Sequence, residues 1–467
     1  MKPIEKLAVD TIRTLSMGRV QAANSGHPGT PMALAPIAYV LYNETMRYDP
    51  AQPLWPNRDR FVLSAGHASM LLYSALHLTG VKQVGHDLAV QDQPAVSLDD
   101  IRNFRQMDSK CPGHPEYGHT SGVETTSGPL GSGIATSVGM AIASKWYAGR
   151  YNKPGYELFD FNAFAVCGDG DLMEGLSGEA ASLAGHLKLS NLCWFYDDNE
   201  ITIEGSTSLA FSEDVQNRFE AYGWNVLRVG DINDLDELRE SVKGFMATTD
   251  RPTLVIMKTV IGFGSPNKGG THHAHGAPIG DDEIKLTKKA YGWPEDKKFL
   301  VPDGVYEHFQ ENVGTNGAAA SAAWNVLRTA YAGEFPELAA ELDLIAKGEL
   351  PEDWAEKIEM FPADEKGLAS RASGGKVLNQ LAEGIPWMIG GSADLGPSNL
   401  TTLKFDGAGD FSIDTPAGRN FHFGIREHAM AAVANGLALS GLRSFCSTFF
   451  VFADYLRPQI RLSALMG

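Results

Sequence analysis

Two short acidic turns, Gly168-Asp169-Gly170 and Asp197-Asp198-Asn199, each follow directly on an apolar run, and they stand about thirty residues apart. If the two runs are neighbouring parallel strands, the turns lie side by side at their carboxyl ends, where open α/β sheets bind ligands. Asp169 and Asn199 then converge on one point. Magnesium takes oxygen donors in octahedral geometry and is usually held by one or two protein oxygens plus phosphates, so a carboxylate, an amide oxygen and a diphosphate meet its needs. The plainer reading of the same residues is a β-turn and a helix cap.

Five histidines, His27, His67, His114, His272 and His275, fall in loops flanked by Gly or Pro, where functional side chains concentrate. Their ordinary pKa near ~6.5 suits proton transfer, although a single His is more often structural. The His-x-His spacing within residues 271–275 also suits a transition metal, but no cysteine or suitably spaced carboxylate completes a ligand set. Glu427 reads as a first-turn acid at a helix N-terminus, and Phe449, Phe452 and Tyr455 read as ordinary core aromatics.

These residues need a scaffold. Residues 164–167, 192–196 and 253–257 are apolar throughout, as strands covered by helices on both faces should be, and they alternate with helical patterns from residue 1 to about 315. The fold class expected is α/β: a doubly wound, mostly parallel sheet in 1–315, a helical linker in 316–366 divided by Pro336, Pro351 and Pro362, and a second, incomplete α/β unit in 367–467. In that unit, 387–390 and 421–424 read as strands and 427–439 as a helix. The amphipathic helix over 452–466 has no strand after it, which predicts an open sheet edge.

The 467 residues carry a formal charge of -18, with 43% hydrophobic and 21% charged residues, typical of a folded globular chain and unsuited to nucleic acid or an anionic membrane surface. The four cysteines are dispersed with no Cys-x-x-Cys pair, which predicts a reducing, cytoplasmic setting. The N-terminal stretch reads as an amphipathic helix and not a signal, and residues 429–442 are too short and interrupted to span a bilayer.

The Gly-Asp-Gly and Asn arrangement resembles the thiamine-diphosphate signature. Ser25-Gly26-His27-Pro28-Gly29, Gly66-His67, Gly113-His114-Pro115-Glu116 and the stretches 124–133, 168–175 and 262–276 resemble transketolase segments, in the family's order. The resemblance covers nearly the whole chain apart from an apparent insertion at 81–96, expected to be a surface loop. It implies thiamine diphosphate with Mg2+, or Ca2+ or Mn2+ in its place. Asp169, Asn199 and the carbonyl of Ile201 would bind the metal. Gly128, Pro129, Leu130 and Gly170 would contact the cofactor, with Glu174 supporting them from behind. His27, His67, His114 and His275 would surround the ketose, with His67 and His275 also at the cofactor. Glu427 would hold the pyrimidine N1′ within an aromatic pocket of Phe449, Phe452 and Tyr455. Arg371 and Ser398 would take the substrate phosphate, and Asp394 would stand near the cofactor at a dimer interface.

The activity so implied is reversible transfer of a two-carbon ketol unit between sugar phosphates through a cofactor carbanion, in a homodimer with shared active sites. The same pattern leads one to expect, beyond residue 467, an Asp-Gly-x-Thr-His stretch and a third domain, so the chain reads as a fragment. Related thiamine enzymes, a dihydroxyacetone synthase or a deoxyxylulose-phosphate synthase, share the metal motif, and the histidine set favours transketolase. An inactive partner subunit is the alternative of a different class, against which Glu427 speaks.

Overall fold

The computed structural model describes residues 1–356 and 358–467. Five parallel strands, β1 (Arg60–Leu63), β4 (Ala163–Gly168), β5 (Leu192–Asp198), β6 (Asn225–Val229) and β7 (Thr253–Lys258), form a sheet in the order β1-β4-β5-β7-β6. β4, β5 and β7 are buried along almost their whole length, as their unbroken apolar sequences require. β4 and β5 pair with Gly168 opposite Asp197, which sets the two acidic turns side by side.

A second sheet joins β8 (Met388–Ser392), β9 (Asn420–His422) and β10 (Arg443–Ser447) in the order β10-β8-β9, again parallel. The strand expected over 421–424 ends at His422, because Gly424 takes a φ of 66° and turns the chain toward the Glu427–Leu439 helix. The stretch 81–96 is more than a surface loop. β2 (Lys82–Val84) and β3 (Val90–Pro94) pair antiparallel, closed by a bond of 2.8 Å from Gly85 N–H to the Ala89 carbonyl.

Residues read as a linker form two helices, Thr315–Glu334 and Pro336–Lys347, the second begun by Pro336 in the first turn. Both are built onto the first sheet's side of the molecule. Trp324 donates to the Leu158 carbonyl at 2.7 Å, Arg150 forks onto Glu341, and Tyr331, Ala339 and Leu342 join the main apolar core. That same core takes in Trp387, Ile389 and Val433 of the second unit, so the two sheets share one interior. Among the described residues no helix is long and apolar enough to cross a membrane.

The two units meet where the Ser132–Tyr151 helix crosses the Glu427–Leu439 helix. Gly139 and Gly436 face each other there. A Cβ on Gly139 would lie 2.2 Å from the Val433 carbonyl oxygen, and one on Gly436 would lie 2.2 Å from that of Thr136. Backbone meets backbone, so nothing can give way by a rotamer change. Gly139→Ala is therefore expected to destabilise the chain by about 1–3 kcal/mol. Gly333→Ala, in a helix with open space around it, should stabilise by a few tenths up to about 1 kcal/mol. Urea denaturation of both variants checks the contrast.

Candidate active site

Asp169 follows β4 and is 4% exposed. One carboxylate oxygen accepts from the Tyr196 hydroxyl, and the other is buried without a partner. Burial pushes this carboxyl up to about 7. The Tyr196 bond works against that, and Asp197, Asp198 and Glu200 push the same way as burial. A buried carboxylate with an idle oxygen is what a cation would discharge. Beside it, Asp197 is driven up to about 6 by burial while accepting from Thr259 and, at 2.8 Å, from the Asn199 amide. That bond, with one of 2.9 Å from the Ile201 N–H, fixes the Asn199 side chain, whose carbonyl oxygen keeps a second lone pair. Among the described residues no group of three or more His, Cys, Asp or Glu is arranged to hold a metal. One carboxylate with neutral oxygens and a diphosphate is a set that suits magnesium, calcium or manganese and not a metal that prefers thiolate or imidazole.

The 128–131 loop reaches the same place. Gly128 and Gly131 have φ of 142° and 78°, open to glycine, and a Cβ on Gly170 would stand 2.8 Å from Leu130 Cδ1. Glu174 lies against Gly131, where an added Cβ would be 3.1 Å from its own Cβ. The loop is tied to the metal turn by Asp171, a residue sequence reasoning passed over. Fully buried, Asp171 accepts from the Gly131 N–H at 2.7 Å, the Gly168 N–H at 2.9 Å and the Ser64 hydroxyl at 2.7 Å. Its signal was present: an acid three residues after the residue preceding a helix is the spacing of a capping box.

Three of the histidines form a triangle. Ring centroids are 5.1 Å apart for His27 and His67, 5.8 Å for His27 and His275, and 5.3 Å for His67 and His275. Gly29 permits it, since a Cβ there would stand 2.4 Å from the carbonyl oxygen of Ala274. His114 closes the group beside Gly128, where an added Cβ would be 3.5 Å from its ring. His272 is exposed next to His273 and stays outside. Burial drives His27 down to about 4, helped by His275, Arg105 and His114, and burial lowers His67, His114 and His275 as well. The ring nitrogens Nδ1 of His27 and His275 are buried without partners. Neutral imidazoles with idle nitrogens suit hydroxyl-bearing ligands.

The second unit's residues face elsewhere. Glu427 is nearly buried, accepts from Thr448 at 3.1 Å and stands beside Glu179, whose carboxyl is raised by burial and further by Glu427. Phe449, Phe452 and Tyr455 make a row with neighbouring centroids 6.3 Å apart, and this row is partly or fully exposed instead of core. Phe450 beside them is 96% exposed. Arg371, Asp394 and Ser398 are exposed also.

A parallel α/β sheet carries at its strand ends a buried carboxylate oxygen without a partner and a glycine-rich loop, flanked by histidines held neutral, and its class is that of the thiamine-diphosphate-binding enzymes. The thiamine diphosphate binding domain of transketolase matches residues 4–351, and the transketolase pyrimidine binding domain matches 366–467. The chain is 53% identical over 470 residues to the transketolase of Bacillus subtilis, covering 100% of this chain and 68% of that one. It is 52% identical over 465 residues to that of Geobacillus stearothermophilus, covering 99% and 67%. The Pichia stipitis transketolase structure in complex with sedoheptulose-7-phosphate matches with a TM-score of 0.93 at 43% identity, covering 100% of this chain and 67% of that one. The Leishmania mexicana transketolase structure also matches at 0.93, at 41% identity and the same coverage. The chain belongs to the transketolase family of transferases, and it spans about two thirds of the length of these relatives.

Histidines held neutral in the fold take up protons when the chain unfolds. The stability linked to His27 is therefore present above its ordinary value of 6.5 and is lost as pH falls toward about 4. The raised carboxyls of Asp169 and Asp197 run in the opposite sense, so the informative quantity is a difference. In urea denaturation, the midpoint of the wild type relative to His27→Gln is expected to fall between pH 6.5 and 4. A constant difference would place the ionisation elsewhere.

Proposed function

We propose that this chain binds thiamine diphosphate with Mg2+ through Asp169, Asn199 and the Ile201 carbonyl, and serves ketol transfer between sugar phosphates as a homodimer. The observation that carries the reading is the buried, unpartnered oxygen of Asp169 beside the Gly128–Leu130 loop and the histidine triangle. Ca2+ or Mn2+ would fit the same oxygens. Gly128, Pro129, Leu130 and Gly170 offer backbone that a diphosphate can approach closely, and Glu174 backs Gly131.

Bound thiamine diphosphate supplies the electron sink needed to break the bond beside a ketose carbonyl. The chain's own residues orient and move protons. His27 and His275, neutral with free ring nitrogens, exchange protons with substrate hydroxyls, and His67 and His114 orient the donor. Glu427, in its nearly buried setting, holds the pyrimidine N1′ proton. Arg371 and Ser398 take the sugar phosphate, a task suited to an Arg fork and a hydroxyl.

The dimer is favoured by what the second unit leaves uncovered. Phe449, Phe450, Phe452 and Tyr455, with Ile425 at 79% exposure, make an apolar face beside Glu427 that a partner's cofactor and loops would bury, and Asp394 follows Ala393, whose N–H donates to the Ser447 carbonyl just ahead of this segment. Residues 1–315 act as the diphosphate unit, 316–366 brace it, and 367–467 form the pyrimidine unit. The four unpaired thiols favour a cytoplasmic setting.

The test is calorimetric titration with thiamine diphosphate, with and without Mg2+. Binding is expected to require Mg2+ and to weaken by about a hundredfold in Asp169→Ala. Equal binding by a folded Asp169→Ala would remove Asp169 from the site.

A further inference from the structure

Arg105, the charged neighbour of His27, touches two of the histidine-bearing loops. Its backbone lies in the left-handed region at a φ of 60°, uncommon for a residue with a side chain. The turn is pinned from both sides: the Arg105 N–H donates to the Cys111 carbonyl at 3.0 Å, and the preceding Phe104 carbonyl accepts from the buried Arg19 at 3.0 Å. The Phe104 ring also lies against Gly26, 3.1 Å from where a Cβ would stand.

That strained turn sends the guanidinium inward. Nη1 donates to the Ser25 hydroxyl at 2.7 Å, two residues before His27. On the other side, a Cβ on Gly113 would be 2.8 Å from Nε and 3.0 Å from Nη2, so the planar fork lies flat against the residue preceding His114. Nε is buried and unpartnered. We propose that Arg105 is a positioning residue for the transfer site, tying the loop of His27 to the loop of His114 and setting a fixed positive charge behind both rings. The proposal rests on the reading that these two histidines meet the sugar.

The charged surroundings discriminate. His27 faces His67, His275, His114 and Arg105, and His114 faces Arg105 and, with the opposite effect, Glu116. Burial is the largest influence on both, and Arg105 adds to it. For His275 burial alone acts. Arg105 thus bears on the two histidines whose loops it touches.

The experiment is a pH titration of the full chain with isotope-labelled histidine, followed by NMR without cofactor, on wild type, Arg105→Met, Arg105→Lys and Ser25→Ala. In Arg105→Met the His27 and His114 midpoints are expected to rise by roughly half a pH unit or more while His275 stays within a small fraction of that. Arg105→Lys, which keeps the charge, should restore most of the shift. Ser25→Ala, which cuts only the tie on the His27 side, should move His27 and leave His114 in place, and it decides the matter if Arg105→Met does not fold. Unchanged midpoints for His27 and His114, or a common drift of all the histidines, would overturn the proposal. Failure of thiamine diphosphate to bind would count against the proposed function and leave this result standing.

Discussion

The buried carboxylate of Asp171 is the constraint on which the site depends. It gathers the N–H groups of Gly131 and Gly168 and the hydroxyl of Ser64, whose oxygen in turn accepts from the Ile134 N–H at 3.1 Å. Those groups come from the end of β1, the end of β4 and the start of the Ser132–Tyr151 helix. Burial alone would push Asp171 toward its neutral form, and the three donors work against that. One side chain therefore fixes the relation between the turn that carries Asp169 and the loop that carries Gly128 to Leu130. Without it, two glycine-rich segments would have little to hold them in register.

Around that clamp the site is divided by charge. At the strand ends, Asp169 and Asp197 are carboxylates raised by burial, a local demand for a cation. On the adjoining side, the histidines are lowered by burial and by one another, which keeps that wall neutral. These two walls are what the proposed diphosphate with its metal and the proposed polyhydroxyl sugar would require. The helix that opens at Glu427 is seated by the close crossing at Gly139 and Gly436, so the second unit's position follows from the same helix that begins at the clamp.

Much of this was legible in the sequence. Unbroken apolar runs marked β4, β5 and β7, and the turns after them placed Asp169 and Asn199 together, because strand register follows from such runs when both faces are covered. The structure also packs Gly29 and Gly66 against backbone, an added Cβ standing 2.4 Å from the Ala274 carbonyl oxygen and 2.9 Å from the Gly128 nitrogen. Other features escaped because they depend on partners distant in sequence. The alanine-rich stretch after residue 315 has weak amphipathicity, so nothing local announced that Trp324 and Leu342 would pack on the first sheet's side. Polar alternation in 82–94 disguised a hairpin as a loop. Asp171 looked like one more acid in a turn, since burial cannot be read from type. The aromatic row after β10 looked like core by spacing, and only the structure shows its exposure.

One carboxylate, that of Asp171, holds the two loops in register. Amide hydrogen exchange in wild type and Asp171→Asn, joined to a thiamine diphosphate titration with Mg2+, tests it most directly. In Asp171→Asn, segments 127–134 and 165–172 are expected to lose protection together while β8, β9 and β10 keep theirs, and affinity is expected to fall about tenfold or more. Unchanged protection in both segments with unchanged affinity, in a folded Asp171→Asn protein, would contradict it.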